Sequence, residues 1–204
     1  MKRPGGPWGL FAAAGVFLLV ILYTLVSSLV RPGVVSYAPS CLSIRPVAGA
    51  FVTDTITLDT RDGDAWVYFD FERRSTVEGR IDPGWDIAIQ RFHVVTNGGE
   101  GYHDRPGVVV PLPWESVVEA PDSGYVATRG ALSKGPMNPA LEHWYTYSFF
   151  SHTLTPKPET YVLRTAAGRF AKIEVLSYYC PEAEPGCFTF RYAYQGNGSR
   201  RLLP

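Results

Sequence analysis

The sequence has few of the residues from which catalysts and metal sites are usually built. Four histidines, three cysteines and two methionines are scattered over 204 residues. No Gly-x-Ser-x-Gly elbow, His-Glu-x-x-His pair or phosphate-cradling glycine loop occurs. Gly98-Gly99-x-Gly101 follows a strand pattern but opens no helical one, which excludes a dinucleotide fingerprint. Asp and Glu are dispersed without an obvious pair, so the chain reads as non-enzymatic. Net charge is missing too. Nineteen Lys and Arg balance nineteen Asp and Glu, and no basic run extends beyond Arg73-Arg74 or Arg200-Arg201. A nucleic-acid partner is excluded on that ground.

What is present is turn chemistry and aromatic surface. Twenty Gly, seventeen Pro and 14% aromatic residues are too many turn formers for a helical bundle and too much apolar surface for disorder. The length suits one globular domain behind an N-terminal segment.

That segment is the one long apolar run. Residues 8–30 carry no charge, and at 1.5 Å per residue they reach about 35 Å, enough to cross a bilayer core of about 30 Å. A signal peptide would have a shorter apolar region and a small-residue cleavage site. Here Arg31-Pro32-Gly33 closes the run, and the nearest small-residue triplet, Ser36-Tyr37-Ala38, is followed by Pro39, a poor residue to cleave before. The run is therefore read as a retained transmembrane helix contacting the lipid bilayer. Lys2 and Arg3 precede it and Arg31 alone follows, which puts residues 1–7 in the cytoplasm and everything beyond outside. The expected location is the bacterial inner membrane, single-pass, with the C-terminal domain periplasmic. Setting Lys2 and Arg3 aside leaves 17 basic against 19 acidic residues, a balance that implies no anionic partner. Ala12, Ala13, Ala14 and Gly15 are small residues that would let another helix approach closely.

Residues 31–49 read as an extended, Pro-punctuated tether, 50–195 as the domain, and 196–204 as a tail. Thr55 to Asp59 and the aromatic run Trp66 to Phe71 are short strand patterns, the second with both faces covered. Trp85 to Thr96 reads as a long core strand between turn residues. Its alternation slips at Gln90-Arg91, as a bulge or a change of sheet would cause. His93 falls within it as a structural histidine. Residues 98–113 and 122–138 read as loops, with one helical turn at most near Trp114, and 141–150 as an aromatic strand. The last third is a β-meander: Tyr161 to Arg164, Arg169 to Leu176 and Phe188 to Tyr194. In its final strand Phe188, Phe190, Tyr192 and Tyr194 share the inner face. The fold class is all-β, a single antiparallel domain behind one helix.

Cys180 and Cys187 flank Pro-Glu-Ala-Glu-Pro-Gly at an expected hairpin. Cross-strand neighbours lie within disulfide reach, and an outside location is oxidising. A bridge between them is expected. Cys41 stands alone past the apolar run, a tolerated small residue or an intermolecular thiol.

Three groups of residues together resemble one family. They are Trp66-Val-Tyr-Phe with Trp85-Asp-Ile-Ala-Ile-Gln-Arg-Phe and Asn97-Gly-Gly; Trp144-Tyr-Thr-Tyr-Ser; and Tyr161-Val-Leu-Arg through Gly168-Arg-Phe-Ala-Lys-Ile to Thr189-Phe-Arg-Tyr-Ala-Tyr. Across roughly residues 50–195 the chain is similar to the HmuY family of bacterial haem-binding proteins. The resemblance implies an all-β domain and haem held between two axial His or Met side chains from loops. In family members using a His pair, one His directly follows the Ser of the Trp-x-x-aromatic-Ser motif. Here Ser148 is followed by Phe149, and His152 is the next histidine. The other ligand lies between a Gly-Tyr pair and that Trp, a run which here, from Gly124-Tyr125 to Trp144, offers Met137 and His143. His103, a loop histidine beside Asp104, is a further ligand candidate. No Cys-x-x-Cys-His is present for covalent haem attachment.

Two functional expectations follow. One is a membrane-anchored accessory subunit docking through its helix and outer domain on other membrane-protein subunits of a larger bacterial complex, photosynthetic or respiratory. The alternative is a haem or tetrapyrrole carrier using His152, Met137 or His103.

Overall fold

Helix α1, Pro7–Leu29, begins at a proline, a residue suited to the first helical position, and contains no further proline. The computed structural model describes residues 7–29, 33–79, 81–97, 107–110, 112–130 and 135–204. Two hydroxyls of α1 turn back on the helix: Thr24 Oγ1 donates to the Ile21 carbonyl at 2.8 Å, and Ser27 Oγ shares its proton between the carbonyls of Thr24 and Phe150, both at 3.1 Å. Such back-bonding suits a helix whose surroundings supply no water. The window Trp8–Ser27 is long and apolar enough to span a membrane, and none of it is buried by the rest of the chain.

The remainder is β-structure. The strands are β1 Phe51–Asp59, β2 Val67–Asp70, β3 Ser75–Val77, β4 Ile87–Gln90, β5 His93–Thr96, β6 Gly107–Val110, β7 Tyr145–Ser148, β8 Thr153–Pro156, β9 Thr160–Arg164, β10 Phe170–Tyr179 and β11 Pro185–Gln195. They form a five-stranded sheet ordered β1-β11-β10-β9-β6, a four-stranded sheet ordered β3-β2-β4-β5, and the hairpin β7-β8. Every pairing between these strands is antiparallel.

The core lies between the two larger sheets. Phe188, Phe190, Tyr192 and Tyr194 of β11 are completely buried, as their alternation predicts. From the facing sheet, the Phe69 ring meets Phe190 at 5.7 Å and the Phe71 ring meets Tyr192 at 5.3 Å. Each such ring removed from water contributes about 1.5–3 kcal/mol, and this contact layer is the main stabilising feature of the domain. The outer face of β2 and β4 is covered as well: Tyr68 lies edge-on to Trp85 at 5.2 Å, beside Ala88 and Val95. The far side of the large sheet carries a smaller cluster of Val117, Ala120, Val162 and Leu202. The tail reaches it because the Leu202 amide donates to the Val118 carbonyl at 2.9 Å.

Several elements differ from the sequence reading. The Trp85 stretch is not one strand with a bulge. β4 and β5 pair with each other, Gln90 opposite His93, around a two-residue turn at Arg91-Phe92. Arg91 takes a left-handed φ of 53°, so the alternation slips because the chain reverses. His93 consequently sits exposed at the start of β5, its ring 4.4 Å from that of Phe92, and is not a core residue. The loop expected over 98–113 contains β6, which completes the large sheet by pairing with β9. Of the strand expected over 141–150, only β7 is extended. Trp144 is buried just before it, with Nε1 donating to the Phe92 carbonyl at 2.8 Å. The tether is extended but docked: the Tyr37 amide donates to the Tyr179 carbonyl and the Arg45 amide to that of Arg73, both at 2.9 Å.

Candidate functional site

The residues singled out as ligands fall on the β7-β8 hairpin and the segment leading into it. β7 and β8 pair from Tyr145–Pro156 to Ser148–Thr153, leaving Phe149-Phe150-Ser151-His152 as the connecting turn. His152 closes the turn with a φ of 53°. Its imidazole is exposed, with Nδ1 sharing a hydrogen bond with the Tyr147 hydroxyl at 2.5 Å and the ring tilted 6.1 Å from that of Phe149. Met137 belongs to the segment before β7, where it bridges Arg129 through two backbone hydrogen bonds of 2.8 and 3.0 Å, and its side chain is partly exposed. His143 is exposed beside Glu142, at 3.9 Å. His103 lies outside the described residues.

Met137 and His143 therefore enter β7 and His152 leaves it. None of the described clefts is lined by His152 or Met137. A porphyrin is a large flat ligand that needs an enclosing, mostly apolar slot as well as axial donors. None of the described clefts is lined by two of the candidate donors, so the described residues do not bring an axial pair together.

The segment before β7 is instead fastened by Asn138, which sequence reasoning did not single out. Its buried Nδ2 donates to Thr96 Oγ1 and to the Val126 carbonyl, both at 3.0 Å. Thr128 Oγ1 in turn donates to the Thr96 carbonyl at 3.0 Å. An Asn and a Thr in polar-looking loops and a Thr at a strand end carry no sequence signal that they share one buried network.

A cleft of about 550 Å³ lies elsewhere, between β2 and the β9-β10 turn, and includes Asp70, Glu72, Arg73, Asp86 and Tyr194. Its acids are already engaged. Asp86 Oδ2 accepts from the Phe71 amide at 2.8 Å and Oδ1 from the Ala166 amide at 2.5 Å. Glu72 pairs with Arg169 at 2.8 Å. Burial raises the Asp70 carboxyl above its ordinary value, although the Arg73 amide and guanidinium oppose this. Asp82, also bound by Arg73, is held below its ordinary value. The cleft fastens the β9-β10 turn to the smaller sheet. Among the described residues no group of three His, Cys, Asp or Glu is placed to hold a metal ion.

Two further expectations concern other parts of the chain. Cys180 and Cys187 are disulfide-bonded, with Cα atoms 4.8 Å apart. Ala12, Ala13, Ala14 and Gly15 are exposed along α1, and no atom approaches the position of a Cβ on Gly15 within 4 Å. The domain touches α1 at its C-terminal end. The Phe150 ring meets that of Tyr23 edge-on at 6.1 Å, and Ser27 Oγ donates to the Phe150 carbonyl at 3.1 Å.

These features define a class: a two-sheet antiparallel domain, closed by aromatic rings and a hairpin disulfide, behind a membrane-length helix. The profile described as HmuY protein matches residues 62–192, more than half of the sequence, and the chain belongs to the HmuY family. Solved structures agree on the fold. The apo HmuY analog of Tannerella forsythia superposes with a TM-score of 0.61 at 17% identity, covering 72% of this chain and 98% of that one. A putative lipoprotein of Bacteroides fragilis gives 0.57 at 20% identity, covering 70% and 89%. A putative HmuY-like haem-binding protein of Bacteroides vulgatus gives 0.55 at 19% identity, covering 70% and 92%. No curated protein matches the chain.

Proposed function

We propose that this chain is a single-pass membrane protein whose HmuY-type domain stands on the extracytoplasmic face of a bacterial inner membrane. There it serves, without catalysis, as an accessory subunit of a larger membrane assembly. The observation that carries this reading is the helix: membrane-long, charge-free and left unburied by its own domain. Lys2 and Arg3 before it favour a cytoplasmic N-terminus. The exposed small residues Ala12, Ala13, Ala14 and Gly15, spread around one turn of the helix, leave room for another helix to approach closely.

Haem carriage is the competing reading, supported by the family and by the Bacteroides vulgatus relative described as haem-binding. Phe149 following Ser148, and clefts lined by neither His152 nor Met137, weigh against it.

Purification of the full chain in mild detergent tests both readings. Integral membrane proteins are expected to co-elute in fixed ratio, and added haemin is expected to give no saturable Soret shift. A Soret shift saturating at one haemin per chain and lost in His152→Ala or Met137→Ala would restore the carrier reading. Protease added to spheroplasts is expected to remove the domain and leave the N-terminus protected; the opposite pattern would overturn the orientation.

A further inference from the structure

The turn between β7 and β8 presents the most exposed pair of adjacent aromatic rings in the described part of the β-domain. Phe149 is 72% and Phe150 55% exposed, and Tyr147 beside them is 50% exposed. Rings of this size left in water on a hairpin tip forgo the burial that stabilises the aromatic side chains of the core. The tip is not far from apolar surroundings. Phe150 contacts Tyr23 and Ser27, both inside the membrane-length window of α1. Tyr23 lies about 9 Å short of Leu29 along the helix, at 1.5 Å per residue. A tip touching Tyr23 therefore sits below the level at which the helix ends, beside its apolar flank.

We propose that this turn is a second membrane contact, with Phe149 and Phe150 inserted into the lipid interface next to α1. The proposal rests on α1 crossing the bilayer. Polar chemistry at the tip fits the lipid interface. The four turn residues include neither Asp, Glu, Lys nor Arg. Polar groups at the turn bond among themselves: Ser148 Oγ accepts from Ser151 Oγ at 2.8 Å, and Ser151 Oγ meets Thr153 Oγ1 at 2.7 Å. The Phe150 carbonyl accepts from the helix, at Ser27 Oγ. Backbone and hydroxyl groups entering a water-poor region have to be satisfied in this way. His152 and the Tyr147 hydroxyl, bonded to each other, place an aromatic pair with polar edges where the interface turns wet.

The tether enters on the same side. Ser177 Oγ donates to the Val35 carbonyl, and the Leu154 amide of β8 donates to the Tyr179 hydroxyl at 2.8 Å. The end of β10 at Tyr179 therefore faces the membrane, and its other end, where Phe170 pairs with Gln195, faces away. A helix and a hairpin tip gripping the bilayer together would fix the tilt of the domain as well as its height.

Spin labels at chosen depths test this in the full chain, reconstituted into phosphatidylcholine and phosphatidylglycerol vesicles. Cys41→Ser removes the free thiol, and single cysteines are introduced as Phe149→Cys, Leu18→Cys on the helix, and Ser199→Cys as the distal control. Collisions with oxygen are expected to exceed those with a water-soluble nickel chelate at positions 18 and 149, and to fall below them at 199. A label at 149 reading as aqueous while 18 reads as buried in lipid would overturn the inserted tip and leave the anchor standing. Aqueous readings at both 18 and 149 would overturn the anchor and the tip together. A label at 149 shielded from both relaxants would mean that protein covers the turn, and would also overturn the lipid contact.

Discussion

At the scale of single residues, two buried polar side chains of the large sheet separate groups that stabilise from groups that are merely tolerated. Thr160 on β9 is completely buried, and its hydroxyl has no hydrogen-bond partner. Lys172 on β10 is equally buried, but its ammonium donates to the Trp114 carbonyl at 3.0 Å and to that of Val117 at 2.7 Å. It also lies 4.4 Å from the centre of the Trp114 ring, with the Arg191 guanidinium 4.5 Å from the same centre. Burial pushes the Lys172 value down, and the nearby Arg191 pushes it the same way. Removing an unsatisfied hydroxyl releases a desolvation cost, whereas removing a partner strands the groups it served. Thr160→Val, which keeps the branched shape, is expected to raise stability by about 1 kcal/mol. Lys172→Met leaves the Val117 carbonyl without its donor, whereas that of Trp114 keeps the Val117 amide at 3.3 Å, and is expected to cost about 1–3 kcal/mol. Chemical denaturation of the two variants checks the pair, and equal signs would contradict the argument. Neither residue stands out in the sequence, where each falls in an ordinary strand pattern.

Among elements, the β10-β11 hairpin is the one most firmly closed. A short 3-10 turn, Pro181–Ala183, carries two residues with left-handed φ, Glu182 at 63° and Ala183 at 59°. Gly186 has a φ of 115°, and a Cβ there would lie 2.7 Å from Arg61 Cγ, so glycine is required for both conformation and space. The disulfide spans this turn with a sequence separation of 7. Closing so short a loop restricts the unfolded chain by only about 2–3 kcal/mol in the chain-entropy account. Cys180→Ser combined with Cys187→Ser is therefore expected to leave a folded domain with a lower melting temperature. Labelling of both cysteines by a thiol reagent in the native, unreduced protein would count against the bridge. This hairpin was legible because two cysteines, a Pro-Gly pair and strict aromatic alternation point the same way. The β4-β5 hairpin was not, because Arg91 takes the left-handed conformation without the Gly or Asn that normally marks it. β6 was hidden among glycine and proline, and only its partner β9 makes it a strand. The candidate site was legible as a departure: Phe149 after Ser148 is visible in the sequence, whereas its contact with the helix end depends on tertiary placement.

Across the whole molecule, the aromatic core couples folding to alkaline pH. Tyr125, Tyr145, Tyr161, Tyr178, Tyr192 and Tyr194 are all raised above the ordinary tyrosine value of 10.0, each chiefly by burial. Tyr125 and Tyr194 are pushed up to about 12. In the fold these phenols keep their protons where the unfolded chain releases them. Stability from each is therefore complete below the unfolded value and is lost as pH rises through the folded one. Lys172 works in the opposite direction. Its folded value lies below 10.5, so the unfolded chain holds that proton more tightly and the site gains stability as pH climbs toward 10.5. Six tyrosines against one lysine decide the sign. The thermal midpoint of the detergent-purified chain is expected to fall steadily between about pH 10 and 12, where unperturbed tyrosines ionise. Tyrosinate absorbance should rise in step with unfolding, because the buried phenols ionise only as the sheets separate. Ionisation of the buried four, Tyr161, Tyr178, Tyr192 and Tyr194, while the near-ultraviolet circular dichroism stays native would show that their rings are solvated in the folded domain, contrary to a core closed by aromatic contact.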